Sequence, residues 1–281
     1  MADVILEARN LGHRYPGGNA DSLQGLNLRI IQGERLALLG ANGAGKTTLL
    51  LHLNGTLRPH TGEIFLHGKP VRYDRAALTL WRQEVGVVLQ EADDQLFAAS
   101  VAEDVSFGPL NLGLAADAAR QRVTEALEAL EITSLAERPP HLLSHGQRKR
   151  AAMAGVLAMR PRILILDEPT AGLDHLGKSL LLATLTQLST TGTTIVFSTH
   201  DVDLAYAWAD SAALFAHGQV LAQGATTSIM ADVALLHSAQ MESPAVLTLQ
   251  QALHQCGVLA ADFPSPRSVA DLARMISEIK K

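Results

Sequence analysis

Three short stretches of this chain carry residue types whose spacing could act on phosphates. The first runs Gly40-Ala-Asn-Gly-Ala-Gly-Lys-Thr47 and fits the pattern G-x-x-x-x-G-K-[ST]. Its glycines Gly40, Gly43 and Gly45 let the backbone curl, so that N–H groups of the loop, those of Asn42 and Ala44 among them, turn inward on phosphate oxygens. The helix that follows, opening through Lys46, Thr47 and Thr48, aims the positive end of its dipole at the same point. Lys46 is placed to reach β- and γ-phosphates and the Thr47 hydroxyl to ligate Mg²⁺.

The second stretch, ILILDEPTAGLD, ends a run of four aliphatic residues in Asp167-Glu168. That places two carboxylates at the carboxyl edge of a buried strand, where open α/β sheets bind their ligands. Two buried acids need a counter-ion, and Mg²⁺ carried by a nucleotide is the economical one. Asp167 is then expected to hold the metal's water shell and Glu168 to polarise an attacking water. Read alone, Asp-Glu-Pro is also a plausible helix cap.

The third stretch, Leu143 to Pro161, reads LSHGQRKRAAMAGVLAMRP. It holds a serine beside a histidine with no carboxylate to orient the imidazole, so a nucleophile–base pair is a poor reading. A loop capping a helix from Gln147 to Met159 fits the pattern. His141 and His145 have a spacing that could bind metal on a helix, but Pro139-Pro140 breaks any helix there, and no metal site is expected from them.

Positioning these groups requires strands and helices in alternation. VILEARNLGHRY and Leu26 to Ile31 read as strands, Arg35 to Leu39 as a short buried strand, and Gly40 to Gly55 as loop and helix. RPHTGEIFLHGKPV reads as a hairpin and Val85 to Gln90 as a buried strand. Ser100 with Glu103 forms a capping box opening a helix, and Asp117 to Glu131 is helical. The strand RILIL, a helix around Lys178 to Leu188 and the strand TTIVFSTH follow. SAALFAHGQVLAQG closes as a hairpin turning at His217-Gly218. The alternation implies parallel βαβ units and an α/β fold. After Gly224 the pattern becomes helical: Val246, Leu249, Leu253 and Cys256 share one face. Val269, Leu272, Ile276 and Ile279 share another, capped by Ser268 with Asp271. Residues 1–224 therefore read as one domain and 225–281 as a small helical appendix.

Composition narrows the function classes. Of 281 residues 47% are hydrophobic, enough for a sizeable core. A net charge of −5 argues against a basic nucleic-acid binder. The single Cys256 excludes an internal disulfide and fits a reducing compartment. MADVILEARN carries Asp3 and Glu7 where a signal peptide would be basic, and no window is apolar enough to span a membrane.

In this order and spacing, over residues 4–224, the motifs resemble the ATP-binding-cassette (ABC) ATPases. LSHGQ resembles their signature loop, with His145 where glycine is usual. The resemblance implies a P-loop core of mostly parallel sheet, an antiparallel β subdomain and a helical subdomain. It also implies that Ser144, Gly146 and Gln147 contact the γ-phosphate of an ATP held by another copy. Gln90 resembles the loop glutamine that senses Mg²⁺ and touches the membrane partner. Asp174 resembles the aspartate that meets its twin across the dimer, and His200 the switch histidine on the γ-phosphate. Tyr15 stands where an aromatic stacks on adenine. QEADDQLFAASVAEDVSFGPLNLGL, together with LSHGQRKRAAMAGVLAMRP and DEPTAGLDHLG, resembles the ATPase subunits of energy-coupling-factor vitamin and metal importers, most of all those of cobalt importers. His145 for tyrosine or glycine and His175 for proline are departures that bear on the substrate more than on the reaction.

The implied protein uses ATP and Mg²⁺ and pairs with a second copy of itself. It works at the cytoplasmic face of the membrane with an integral-membrane coupling protein and a substrate-binding membrane subunit. The helical appendix matches an extension that helps hold two ATPase subunits together. The cargo the resemblance implies is a transition-metal ion, cobalt, with nickel or a vitamin as the alternative. A soluble cassette ATPase acting on nucleic acid or translation is the other class; those relatives usually carry two cassettes or a long insertion, which this acidic chain lacks. A small-molecule P-loop kinase has no use for LSHGQ or a switch histidine.

Overall fold

A computed structural model of the chain describes residues 3–18, 20–260 and 263–279. Among the described residues, ten strands form two sheets. β1 (Val4–His13), β2 (Leu23–Ile31), β4 (Thr61–Leu66) and β5 (Lys69–Pro70) make an antiparallel sheet in the order β2-β1-β4-β5. The larger sheet has the order β10-β9-β3-β8-β7-β6, from β3 (Arg35–Leu39), β6 (Val85–Val88), β7 (Ile163–Asp167), β8 (Thr194–Thr199), β9 (Ser211–Ala216) and β10 (Gln219–Ala225). It is parallel except for the β9–β10 hairpin. Gln223 on β10 and the backbone of Arg29 on β2 exchange hydrogen bonds and tie the sheets together.

The pleat decides which residues go where. Leu36, Leu38, Ile163, Ile165, Val196, Ala213 and Phe215 alternate onto one face of the larger sheet. They pack there with β1, β2 and the helix α1 (Lys46–Leu53). Ala37, Leu39, Leu164, Leu166, Ile195, Phe197 and Leu214 occupy the other face. These strand residues are buried on both sides, so the strands read as continuous apolar runs without polar alternation.

Covering that second face are α5 (His145–Leu157), α6 (His175–Thr190) and α7 (Val202–Trp208), while α3 (Val101–Asn111) and α4 (Ala116–Ala129) pack with α5 as a helical layer. Ser100 caps α3 as expected, accepting from the Glu103 N–H at 3.3 Å. The reciprocal bond differs, because the Glu103 carboxylate reaches back one residue further, to the Ala99 N–H. Helix α2 (Arg75–Glu84) lies where the sequence reading assigned no element. Its apolar stripe is short, Trp81 buried and Leu78 partly buried against the same cluster, set in a mostly polar run. An Asp74 side-chain cap on the Ala77 N–H starts it.

After β10 come α8 (Thr226–Ala231), α9 (Val233–Ser238), α10 (Ala245–Gln255) and α11 (Val269–Ile279). Leu236, Met241, Val246, Leu259 and Leu272 from this part are buried in the same apolar cluster as Phe197 and Tyr206. The Arg267 guanidinium donates to the Ala209 carbonyl at 2.6 Å and lies over the Tyr206 ring. The two expected apolar faces are only partly buried. Leu249 and Cys256 are exposed where Val246 is not, and Val269 is exposed where Leu272 is buried. The side chains of Asp93 and Ile279 lie outside the described residues. No helix among the described residues is long and apolar enough to cross a membrane.

Candidate active site

Strand register builds the site. Leu39 pairs with Thr199, and Asp167 pairs with Ser198, so β3, β7 and β8 end level with one another. Three loops therefore leave the sheet at one edge: Gly40–Gly45 after β3, Glu168 after β7 and His200 after β8. They line a cleft of about 630 Å³ together with Gln90 beyond β6 and the His217-Gly218 turn.

The phosphate loop is shaped by close approaches. A Cβ on Gly40 would stand 2.4 Å from the Phe215 carbonyl oxygen, so only glycine lets the loop pass over β9. Gly45 caps α1 in a left-handed conformation, φ 105°, with the Ser22 carbonyl at its back. Asn42, Gly43, Ala44, Gly45, Lys46, Thr47 and Thr48 all line the cleft. Lys46 is nearly buried; its ammonium donates to the carbonyls of Gly40 at 2.6 Å and Ala41 at 3.1 Å. Burial lowers its pKa from the ordinary lysine value, and the neighbouring Glu168 and Asp167 oppose that shift. The open loop N–H groups, the α1 N-terminus and this ammonium can cradle a polyphosphate.

The two acids line the cleft together but are held by different partners. Asp167 continues the alternation of Ile163 and Ile165 and so points to the α1 side, where its Oδ2 accepts the Thr47 hydroxyl at 2.6 Å. Its other oxygen accepts the Ser198 hydroxyl, and Ser198 Oγ in turn accepts the Glu168 N–H at 3.0 Å. Glu168 follows with φ 45°, an uncommon conformation outside glycine. Its Oε1 lies 2.9 Å from His200 Nδ1, and the His200 side chain is 60% exposed. A carboxylate held beside an imidazole at a cleft edge can accept a proton from water.

Thr47 and Asp167 bring a hydroxyl and a carboxylate oxygen to one point, and Gln90 lines the same cleft. Hard oxygen donors of this kind suit Mg²⁺, which takes its remaining ligands from water and phosphate. No group of three His, Cys, Asp or Glu side chains among the described residues could hold a metal ion. His141 sits in a 3₁₀ turn (Pro140–Leu142) and His145 begins α5, so the two histidines do not share a helix.

The remaining expected residues lie elsewhere. Ser144 caps α5 two residues before the anticipated start: its Oγ accepts the Gln147 N–H at 3.3 Å, and Gln147 Oε1 accepts the Ser144 N–H at 2.9 Å. Ser144 is exposed, and neither it, Gly146 nor Gln147 lines the cleft of its own chain. Asp174 caps α6, accepting the Gly177 N–H at 2.7 Å. Tyr15 borders a neighbouring pocket with His13 and His60; its hydroxyl lies 3.3 Å from Thr48 Oγ1, which does line the cleft.

Three residues without an assigned role in the sequence bond to segments that line or flank the cleft. Ser198 joins the two acids, and no local signal separates it from the other residues of β8. Lys149, 1% exposed, donates to the carbonyls of Glu168 at 2.5 Å and Ala171 at 3.1 Å. Gln95 pins the end of β6, accepting from the Leu89 N–H and donating to the Val87 carbonyl.

Comparison with known proteins bears on this geometry. The family model described as "ABC transporter" matches residues 23–171. The cobalt import ATP-binding protein CbiO of Rhodobacter capsulatus is 56% identical over 245 residues, 87% of each chain. The energy-coupling factor transporter ATP-binding protein EcfA of Methanocaldococcus jannaschii is 47% identical over 251 residues, 89% of this chain and 90% of its own. Among solved structures, cbiO1 of Clostridium perfringens, described as part of the ABC transporter complex cbiONQ, superimposes with a TM-score of 0.74 at 40% identity. That match covers 91% of this chain and 99% of cbiO1.

Proposed function

The chain belongs to the ABC transporter family of ATPases, and from that premise we propose that it is the motor subunit of an energy-coupling-factor importer. In this reading two copies close head-to-tail on two ATP molecules to drive uptake of a transition-metal ion, cobalt. The observation that carries the reading is the cleft lined together by Asn42–Thr48, Asp167, Glu168, Gln90 and His200. The cobalt import protein and EcfA, as relatives, support the choice of importer and cargo; nickel or a vitamin is the alternative cargo.

The β- and γ-phosphates rest on the loop N–H groups and Lys46, with the Tyr15 ring against adenine. Mg²⁺ bound there would neutralise the β- and γ-oxygens, with Thr47, Asp167 and Gln90 on its protein side. Water attacks the γ-phosphorus and gives its proton to the Glu168 carboxylate. The bond to the β–γ bridging oxygen breaks, leaving ADP and phosphate. His200 holds Glu168 and meets the γ-phosphate. Ser144, Gly146 and Gln147 are supplied by the second copy, because each chain's own signature loop stands outside its own cleft. A two-fold dimer then makes two equivalent sites.

Residues 1–224 form the ATPase domain. Residues 225–281 form an extension that strengthens the dimer, with exposed Leu249, Val258 and Val269 as the apolar surface it offers. The groove of about 770 Å³ lined by Leu78, Gln95, Phe97, Phe107 and Met159 receives the membrane coupling protein, and the chain works at the cytoplasmic face.

Glu168→Gln should bind ATP, accumulate a closed dimer and fail to hydrolyse; wild-type turnover would remove Glu168 as the base and leave His200. Ser144→Glu and Lys46→Ala should each be inactive alone and regain hydrolysis when mixed, since the heterodimer holds one intact site. Loss of ATP binding by monomeric Ser144→Glu as severe as that of Lys46→Ala would mean the serine acts in its own chain. Cobalt against nickel uptake by membranes carrying the co-purified complex decides the cargo.

A further inference from the structure

Three consecutive basic residues follow Gln147, and they point to different places. Arg148 donates to the Leu143 carbonyl at its own loop, and Arg150 to the Leu130 carbonyl in the helical layer. Lys149 alone turns toward the sheet, where it is almost fully buried. Its ammonium spans the tight turn after β7, donating to both the first and last residues of Glu168-Pro-Thr-Ala171. The Glu168 carbonyl also accepts the Ala171 N–H at 3.1 Å, so one oxygen carries two donors. This turn is the one that begins with Glu168 in the left-handed region.

Packing alone does not require a charge at this position. Methionine has nearly the same length and would fill the space without desolvating an ammonium. What the ammonium adds is directional: two fixed bonds that oppose relaxation of a conformation non-glycine residues disfavour. Lys149 also belongs to α5, five residues beyond Ser144, which is about 7.5 Å along the helix axis. A displacement of the Ser144 end of α5 therefore reaches the Glu168 backbone through a rigid element and two hydrogen bonds.

We propose that Lys149 is a positioning residue for hydrolysis, clamping the Glu168–Ala171 turn so that the Glu168 carboxylate faces the cleft, and linking that turn to the signature loop. The inference rests on Glu168 being the base in the reading above. Burial brings the ammonium's pKa down to about 8, with Glu168, Asp167 and Glu91 resisting the change. The clamp is therefore charged below that pH and weakens as pH rises through it.

The test uses the purified full chain with Lys149→Met, which keeps length without a donor, and Lys149→Gln, which keeps a donor that does not titrate. ATP affinity, measured with a fluorescent ATP analogue, should stay within about twofold of wild type in both. Phosphate release by Lys149→Met should fall at least tenfold in kcat with little change in KM, and Lys149→Gln should recover part of it. Wild-type turnover should decline through about pH 8, and that alkaline limb should be missing in Lys149→Gln. A folded Lys149→Met with wild-type kcat, or a Lys149→Gln profile with the wild-type limb, overturns the proposal. Should Lys149→Met fail to fold, the pH profile of Lys149→Gln decides. Glu168→Gln assayed alongside separates the two readings: its wild-type turnover would sink the base assignment. Its collapse beside an unimpaired Lys149→Met would sink the clamp alone.

Discussion

Ser198→Ala removes one oxygen from a fully buried position and breaks two hydrogen bonds at once. The Ser198 hydroxyl donates to the Asp167 carboxylate, a charge-assisted bond contributing roughly 1.5–3 kcal/mol. The same oxygen accepts the Glu168 N–H; leaving that buried amide without an acceptor costs about 1–3 kcal/mol. The two terms share an atom and do not simply add, so the expected destabilisation is roughly 2–4 kcal/mol. In a chain of this size that lowers the melting temperature by roughly 4–16 °C. Turnover should fall as well, on the order of 10–100-fold, because both acids lose the group that fixes them relative to each other. Thermal melts and phosphate-release assays on Ser198→Ala should be run beside Ser179→Ala. Ser179 is an exposed serine whose hydroxyl only donates to the His175 carbonyl one turn back, and its loss should stay within ~0.5 kcal/mol. Equal melting shifts for the two variants, or wild-type turnover by Ser198→Ala, would refute the reasoning.

Acid stability should depend on His52. It is fully buried on α1 beside the His13 ring, its Nδ1 2.7 Å from the Thr48 carbonyl, and burial lowers its pKa to about 4. The unfolded chain binds the proton more tightly, so this stability is present above about pH 6.5 and is lost as pH falls toward 4. Between pH 7 and pH 5 the loss is roughly 2 kcal/mol. Urea midpoints of His52→Leu should therefore change less over that interval than those of wild type, and an identical change would exclude His52 as the source. Ending the chain after Gly224 strips Leu236, Met241, Val246, Leu259 and Leu272 from the cluster around Phe197 and Tyr206. The shortened chain should melt well below the full one and self-associate more weakly in sedimentation. An unchanged melt would contradict the packing, and equal dimer fractions the proposed role in dimerisation.

Much of this molecule is legible in one dimension, because its strongest signals are local. A phosphate loop needs its glycines, lysine and threonine within one strand–helix turn, so Gly40–Thr47 declares itself by spacing. A capping box spans four residues, so Ser144 with Gln147 is readable in the same way, although the reading began the helix two residues late. The buried strands announce themselves as apolar runs because both faces of the larger sheet are covered. Helix α2 is harder to read, because its apolar stripe is only Leu78 and Trp81 in a run otherwise rich in Arg, Gln and Glu.

Tertiary structure alone decided what joins these segments. The pairing of Asp167 with Ser198 depends on the register between β7 and β8, and a shift by one residue would turn Ser198 to the opposite face. Lys149 reaches the Glu168 turn only because α5 lies across the sheet, a consequence of packing that nothing in the RKR triplet encodes. The C-terminal helices show the same division. Their amphipathic period is local, but whether Leu272 or Val269 meets the cluster is set by how α11 packs on α10, with Arg267 just ahead of it anchored on Ala209 and Tyr206. Local patterns follow from backbone geometry within a turn or two. Long-range partners follow from which faces the folded chain brings together, and that is fixed only when the whole core packs.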